Sequence, residues 1–245
     1  MNYAYMLITA LLGLAIGSFL NVVIFRIPKE ENIAFPASHC THCNKPLKWW
    51  HNIPLISYII LKGKCHYCKK NISIQYPLVE LASTVIFIIS YAKTISFTEG
   101  LIVALVFDLL LALSLIDFRY KAVPDSLNLL ALSLSVFTGN IIVSLTNALL
   151  FAGGFTLLRF YVSFIIKKEA LGEADIMIAA TIGAMVGIKL GLFTIFLSAV
   201  IALPVFIIVG KKDMQLPFIP FLALALFITY MLDGYVLKLF EWLYR

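Results

Sequence analysis

The sequence predicts an all-α polytopic membrane protein with about eight transmembrane helices and a small cytoplasmic zinc-ribbon-like domain between the first two. Composition is the first observation behind this prediction, since 62% of the 245 residues are hydrophobic and only 13% are charged. Such a chain is far too apolar for a soluble domain of its length. The second observation is a series of apolar runs near the ~20 residues that cross a bilayer. The third is a single polar stretch, residues 26–76, that carries two Cys-x-x-Cys motifs.

Residues 1–25 are predicted to form the first segment of the chain, which consists of the first transmembrane helix. A signal peptide would also contain an apolar run near the N-terminus. This run is long, has no basic residue before it, and leads directly into Arg26 without a small-residue cleavage pattern. We therefore predict a transmembrane helix that is retained in the protein.

The polar stretch at residues 26–76 is predicted to form a separate domain, and residues 77–245 to form a membrane-embedded domain. Apolar runs place the eight helices at residues 3–25, 77–92, 101–116, 127–145, 148–166, 176–188, 190–209 and 218–239. The join between the sixth and seventh helices, at Gly187 to Gly191, is weakly marked. Seven helices therefore remain possible.

Basic residues predict the orientation of the chain, because they concentrate on the cytoplasmic side of membrane proteins. Most of the 19 Lys and Arg fall in alternate loops, beginning with the polar stretch. After the polar stretch, the basic residues on the same side of the membrane are Arg119, Lys121, Lys167, Lys168, Lys211 and Lys212. Both chain ends are thus expected outside and the polar domain in the cytoplasm. The net charge of +6 then indicates contact with anionic lipid and does not imply nucleic acid.

The most specific local motif is a pair of Cys-x-x-Cys knuckles, Cys40 with Cys43 and Cys65 with Cys68. This spacing is close to that of four-cysteine zinc ribbons, and a domain of ~50 residues needs such a staple. Disulfides or a redox pair are the alternative, which a reducing cytoplasm disfavours. The neighbouring histidines, which would replace a cysteine only if a thiol were missing, are His39, His42, His51 and His66. Four thiolates leave no open position for substrate, so the zinc is predicted to be structural.

Two aspartates at the edges of apolar segments are the candidate catalytic residues. Asp117 ends the third predicted helix, and Asp175 precedes the sixth. Two carboxyl groups that share a proton can activate a water molecule, as in aspartyl proteases. For a single aspartate a helix cap or a topology marker would be the better interpretation. Asp125 is the alternative first residue of the pair, but it follows Pro124 and is well placed to cap the next helix.

Several motifs follow one another along nearly the whole chain in an order that resembles the bacterial type IV prepilin peptidases. They are GSFLNVVIFRIP at residues 17–28, both cysteine knuckles, NIPLISY at 52–58, QYPLVEL at 75–81, Ile116-Asp117 with Pro124-Asp125, GEAD at 172–175, and LPF at 216–218. Each motif alone is modest. Their number and order make the resemblance specific.

The resemblance implies an aspartyl endopeptidase of the bacterial inner membrane that removes the leader of type IV prepilins or pseudopilins at the cytoplasmic edge. It also implies N-methylation of the new N-terminus with S-adenosylmethionine. The family's catalytic pair carries over to Asp117 and Asp175, and the latter matches the aspartate of a GxGD motif. Ala174 replaces the second glycine of that motif, which should preserve activity unless the position needs a positive φ. Glu80 is a candidate for the methyl-transfer site, or simply lies near the cytoplasmic end of the second helix.

Two functions from other classes remain as alternatives. One is an ion-coupled membrane transporter in which the carboxylates relay protons, and the other is a non-catalytic pilus or secretion assembly factor. The sequence shows no broken helices in matched halves and no internal repeat, which argues against the transporter. Both aspartates are retained, which argues against the assembly factor.

Overall fold

The computed structural model describes residues 3–167, 172–209 and 217–243, and most of these residues are helical. The helices are α1 (Tyr3–Arg26), α2 (Ile56–Ile60), α3 (Gln75–Lys93), α4 (Phe97–Tyr120), α5 (Asp125–Ser135), α6 (Ile141–Ile166), α7 (Glu173–Val209), α8 (Ile219–Met231) and α9 (Asp233–Leu243). The described ranges contain only two isolated β-bridges, so the all-α prediction is confirmed. Some residues used in the predictions lie outside these ranges: Lys168, Lys211, Lys212, Leu216 and Arg245.

The chain divides into two compact units, Met1–Ala104 and Leu105–Arg245, and the boundary falls within α4. The first unit contains α1, α3 and the polar stretch between them. The second contains α5 to α9 and the later part of α4. The candidate metal ligands therefore belong to the first unit, and both candidate catalytic aspartates belong to the second.

Five helices in the described ranges are long and apolar enough to cross a membrane, or six if α8 and α9 together form one span. The five are Tyr3–Lys29, Gln75–Lys93, Phe97–Tyr120, Ile141–Ile166 and Glu173–Ile208. A multi-pass membrane protein is thus confirmed in outline. The predicted count of eight transmembrane helices is not confirmed. The helices are interrupted at three places: before α6, within α7, and between α8 and α9.

The first break corrects the fourth and fifth predicted helices, which were placed at residues 127–145 and 148–166. The structure instead ends a short helical segment at Thr138 and starts α6 at Ile141. The Asn140 side chain caps α6, because its Oδ1 accepts hydrogen bonds from the N–H groups of Ile142 at 3.1 Å and Val143 at 3.3 Å. The segment Asp125–Thr138 is about 21 Å long at 1.5 Å per residue, too short for a hydrocarbon core of ~30 Å.

The other breaks lie in α7 and between α8 and α9. Gly187 has φ 75° and ψ −174° inside α7, a conformation that glycine adopts readily because it lacks a Cβ. It separates residues 173–186 from 188–209, close to the weakly marked join between the sixth and seventh predicted helices. The last predicted helix, at residues 218–239, is bent by 80° between α8 and α9.

In the first unit, α1 and α3 pack at two glycines of α1. A Cβ on Gly13 would lie 2.7 Å from the Thr84 Cα, and one on Gly17 would lie 2.8 Å from the Glu80 Cα. These separations are far below van der Waals contact, so the two backbones meet where side chains are absent. The Ser83 hydroxyl also donates a 2.8 Å hydrogen bond to the Gly13 carbonyl. The sequence analysis overlooked this pair, although Gly13 and Gly17 have the GxxxG spacing of close helix contacts.

We expect Gly17→Ala to lower the apparent thermal unfolding midpoint of the detergent-solubilised protein. The new methyl group would press on the α3 backbone, which cannot move aside as a side chain can, and such overpacking costs about 1–3 kcal/mol. Gly153→Ala is the matched control, because a Cβ there meets nothing within 4 Å. The control should leave the midpoint unchanged or raise it. If the unfolding midpoint fell equally in both variants, the result would contradict close packing at Gly17.

Candidate functional site

Asp117 lies in the last turn of α4 with its carboxylate inside the second unit. Its residue surface is 8% exposed, and Oδ2 accepts a long hydrogen bond of 3.4 Å from the N–H of Ile219 at the start of α8. The helix ends at Tyr120, and the next residue, Lys121, takes a left-handed conformation with φ 52° and donates its N–H to the Asp117 carbonyl at 2.9 Å. The end of α4 and the start of α8 thus position this carboxylate.

Asp175 lies in the first turn of α7 and is partly buried. Its Oδ2 accepts a hydrogen bond of 3.2 Å from the N–H of Gly172, just before the helix. Ala174 precedes it within the helix, where the only non-helical residue of α7 is Gly187. The alanine therefore occupies its position without the left-handed strain that would have required glycine.

The charge of Asp175 acts on the carboxyl group of Asp117 as a minor effect beside burial. The two helix ends that carry them belong to the same unit. Asp125 is exposed in the first turn of α5, and Pro124 rather than Asp125 occupies the cap position of that helix. Its carboxylate still lies near the positive end of the helix dipole, which favours an acidic residue. Asp117 is therefore buried and Asp125 exposed, and the choice of Asp117 as the partner of Asp175 stays a prediction.

Asn128 is a further polar residue of this site, and the sequence analysis did not single it out. It is completely buried, and its Nδ2 donates a 3.1 Å hydrogen bond to the Ala174 carbonyl next to Asp175. Since a carbonyl only accepts, the amide orientation is determined by this contact. Within the described ranges Oδ1 of Asn128 has no hydrogen-bond partner. An asparagine directly before two leucines in this helix was the available sequence signal.

The four cysteines of the first unit form a cluster in which all sulfur atoms lie within 4.8 Å of one another. All four are free thiols, and the Cys40 and Cys68 sulfurs are 3.9 Å apart. That separation is far above the ~2.04 Å of a disulfide and close to the ~3.8 Å edge of a tetrahedron with Zn–S bonds of ~2.3 Å. The donor set and its spacing therefore fit a zinc ion.

The two knuckles have the same backbone turn. The Cys40 N–H donates to the Lys45 carbonyl at 3.0 Å, and the Cys65 N–H donates to the Lys70 carbonyl at 2.8 Å. In each knuckle the fifth residue takes a left-handed conformation, Asn44 with φ 54° and Lys69 with φ 59°. Two equivalent turns presenting two sulfurs each are the geometry expected of a ribbon-type metal site.

The environment of the cluster makes its thiols unequal. Burial raises the pKa of the Cys40 thiol, but the backbone N–H groups of His42 and Cys43 and the nearby thiols outweigh this and lower it to about 6. The Lys45 N–H lowers the pKa of Cys43, but burial and the Cys40 and Cys68 sulfurs raise it overall to about 11. Ionisation of one thiol therefore opposes ionisation of its neighbours. A divalent cation would remove the repulsion between the thiolates.

Glu80 lies on α3 in the first unit and is buried. Its Oε2 accepts a 2.8 Å hydrogen bond from the N–H of Leu55, and the Ser18 side chain on α1 also bonds to the carboxylate. Leu55 has φ 57°, an unusual conformation for a residue with a side chain. The carboxylate thus connects the residue before α2 to the helix pair α1 and α3.

Two protein families match this chain, and the boundary between their matches lies close to the boundary between the two compact units. Residues 11–94 match the family described as the Bacterial Peptidase A24 N-terminal domain, and residues 102–207 match the Type IV leader peptidase family. Asp117 and Asp175 fall within the second match, and the four cysteines fall within the first.

The chain is also similar to curated proteins over most of its length. It is 34% identical to a prepilin leader peptidase/N-methyltransferase of Stutzerimonas stutzeri, over 91% of this chain and 89% of the relative. The corresponding values for the same-named protein of Pseudomonas aeruginosa are 33%, 91% and 88%. A type 4 prepilin-like proteins leader peptide-processing enzyme of Escherichia coli O78:H11 is 32% identical, over 87% of this chain and 88% of the relative. No solved structure matches the chain significantly.

Proposed function

The chain belongs to the type IV leader peptidase family, and from this premise we propose that it is an aspartyl endopeptidase that removes the leader of type IV prepilins or pseudopilins. The observation that carries the proposal is that Asp117 and Asp175 lie in one unit, where the charge of Asp175 acts on the Asp117 carboxyl group. Each carboxylate accepts a backbone N–H, and each lies at the end of an apolar helix. The relatives' names supply the substrate class.

The proposed chemistry needs one proton shared between the two carboxyl groups, which their mutual repulsion favours. The protonated group donates a hydrogen bond to the scissile carbonyl. The ionised group removes a proton from a water molecule, whose oxygen then bonds to the carbonyl carbon. When the C–N bond breaks, a proton passes to the leaving amine, and the products are the free leader and the mature protein. The aspartates perform this step without a metal.

We place this reaction at the cytoplasmic edge of the bacterial inner membrane. Asp117 and Asp175 lie at helix ends that are followed or preceded by basic residues, namely Arg119, Lys121 and Lys167. Basic residues of short loops favour the cytoplasmic side. A prepilin whose apolar helix lies in the bilayer would then present the end of its leader at the depth of the aspartates. Both termini of the chain are proposed to lie outside the cytoplasm.

We assign the cysteine cluster as a structural zinc site. Cys40, Cys43, Cys65 and Cys68 would supply all four ligands of a tetrahedral ion. The ion would hold the two knuckles together, because the polar stretch at residues 26–76 has little buried apolar surface of its own. We propose this stretch as a zinc-binding domain and residues 77–245 as the membrane-embedded peptidase domain.

We also propose N-methylation of the new N-terminus, and this rests on the names of the relatives. S-adenosylmethionine would supply the methyl group. At the one candidate position, the described residues leave no free carboxylate for this cofactor. Glu80, the candidate, is buried and already bonded to Leu55 and Ser18, which favours a structural role for it. We therefore derive no step of methyl transfer from the structure.

The proposed function is tested by co-expressing the chain with a prepilin and measuring the mass of the pilin. Removal of the leader supports the peptidase, and a further gain of one CH₂ on the mature product supports methylation. An uncleaved prepilin that still copurifies with the protein would favour the assembly factor. A prepilin that neither binds nor is cleaved would leave the ion-coupled transporter, which is then tested by proton uptake into vesicles.

Asn128→Leu is expected to lower kcat for leader removal by about 10- to 100-fold with little change in KM. Leucine is close to asparagine in shape but cannot donate a hydrogen bond to the Ala174 carbonyl, so the first turn of α7 can shift. A displacement of a reacting group by about 1 Å can lower the rate by such a factor. Ser133→Leu is the matched control, because it adds leucine to an exposed position of the same helix. Steady-state kinetics would reject the positioning role if KM rose while kcat stayed unchanged.

A further inference from the structure

The excess positive charge of the chain is confined to what we call the cysteine segment, residues 26–74, from the last residue of α1 to the residue before α3. It contains eight Lys and Arg against two Glu, which equals the net +6 of the whole chain. Arg26 is buried and donates to the carbonyls of Asn32 and Pro36. The seven lysines are exposed: Lys29, Lys45, Lys48, Lys62, Lys64, Lys69 and Lys70. The segment thus presents a strongly cationic surface.

The same segment exposes large apolar side chains on one face of α2. Ile56, Ile59 and Ile60 are 54%, 72% and 73% exposed, and their spacing of three and four residues places them on the same side of the helix. We call this the isoleucine face. Trp49, in the short helical turn that packs near α2, is 75% exposed. An aqueous domain rarely leaves such side chains uncovered together.

The depth of α2 follows from its attachment to α3. The N–H of Leu55, the residue before α2, donates to Glu80, which lies about 8 Å along α3 from its first residue at 1.5 Å per residue. Leu78 and Leu81, on either side of Glu80, are 55% and 50% exposed, so α3 already presents apolar side chains at this level. Since α3 is a candidate span, α2 begins at or just inside the edge of the hydrocarbon core.

We propose that α2 is an interfacial helix whose isoleucine face inserts into the boundary between headgroups and acyl chains, while the lysines of the cysteine segment contact anionic headgroups. An apolar face combined with surrounding lysines is the pattern of helices that lie in the membrane interface. Anionic lipids in the cytoplasmic leaflet attract such basic segments. The partner of this surface is therefore the bilayer.

The occupant is inferred to be lipid and not the substrate because of position and charge. The segment is anchored on both sides by helices that are candidate spans, α1 and α3, so the bilayer surface is always within its reach. Lys48 also lies 4.9 Å from the Trp50 ring centre, which pairs a cation with an aromatic side chain as interfacial segments commonly do. The proposal does not depend on catalysis by Asp117 and Asp175.

Tryptophan fluorescence can test this placement, since the chain has only Trp49, Trp50 and Trp242. With these three replaced by phenylalanine in the full-length protein, Ile59→Trp reports the isoleucine face. Leu81→Trp is the lipid-facing control, and Thr41→Trp, exposed in the first cysteine knuckle, is the control outside α2. The proteins would be placed in nanodiscs of phosphatidylcholine, alone or in equal mixture with phosphatidylglycerol, with and without brominated acyl chains. Zinc content would verify that the cysteine segment is folded.

We expect brominated lipid to quench Ile59→Trp at least half as strongly as Leu81→Trp, and aqueous acrylamide to quench it less than Thr41→Trp. Phosphatidylglycerol should strengthen the quenching of Ile59→Trp fluorescence by brominated lipid. The double substitution Lys62→Glu with Lys64→Glu should remove this additional quenching. Ile60→Trp serves as a second reporter if the first variant loses zinc. Acrylamide quenching equal to that of Thr41→Trp in every disc would overturn the proposal. Protection that develops only when a prepilin is added would also overturn it, in favour of a peptide-binding surface.

Discussion

Asp117→Asn and Asp175→Asn are each expected to abolish leader removal, with a fall in the cleavage rate of at least about 1,000-fold. Asparagine has the size of aspartate but cannot carry the shared proton or remove one from water. The hydrogen bonds from Ile219 and Gly172 can still be accepted by the amide oxygen, so the fold around the site should survive. The loss would therefore be chemical, with the protein still inserted and folded.

Asp125→Asn is the matched control for this prediction, because Asp125 is exposed in the first turn of α5. Its variant should cleave at close to the wild-type rate. The measurement is the mass of a co-expressed prepilin, supported by a time course with purified protein. Full cleavage by the Asp117→Asn variant would reject the proposed pair, and loss in Asp125→Asn instead would transfer the role to that residue. Loss in all three variants with normal zinc content would leave the first aspartate unassigned.

Cys65→Ser is expected to release zinc and to unfold the cysteine segment. Cys65 is the buried member of the cluster, and a structural zinc ion in a small domain contributes on the order of 10–16 kcal/mol of folding free energy. Removing one of four thiolates opens the site to water and removes much of that contribution. The purified variant should contain little zinc, and a protease should cut it within residues 26–74.

His66→Ala is the matched control, since it changes the next residue but leaves the four sulfur ligands in place. Its zinc content and protease resistance should equal those of the wild type. Cadmium, which also prefers thiolates, should restore protease resistance to wild-type protein depleted of zinc. One zinc ion per chain in Cys65→Ser, or resistance in the depleted protein, would contradict a structural zinc site.

The sequence could predict which residues belong to the candidate site and that they lie at helix ends. Asp117 and Asp175 were recognisable because an ionisable residue at the edge of an apolar run is costly to retain. The preference for Asp117 over Asp125 gained support only from burial and from the nearby charge of Asp175. Sequence reasoning missed Asn128, because its contact with the Ala174 carbonyl joins two helices that are distant in the chain.

The helix boundaries show a similar division. The runs that became α1 and α3 were predicted closely, whereas α4 extends beyond its predicted run at both ends, because the helix also includes the charged residues Glu99, Asp117 and Arg119. The break before α6 was missed because Thr138, Gly139 and Asn140 were taken as the interior of a membrane helix. The Asn140 side chain can satisfy two free N–H groups, so a helix can begin there within an apolar run.

The sequence by itself determined the membrane class, and it predicted the cysteine ligands of a metal site and the two candidate catalytic aspartates, because hydrophobicity, ligand type and charge are properties of individual residues and their spacing. Only the tertiary structure decided that Gly13 and Gly17 are the contact between α1 and α3, that Glu80 holds Leu55, and that the isoleucine face is uncovered. These features depend on which distant segments meet. Local patterns do not encode that, because it results from packing and hydrogen bonding across the whole unit.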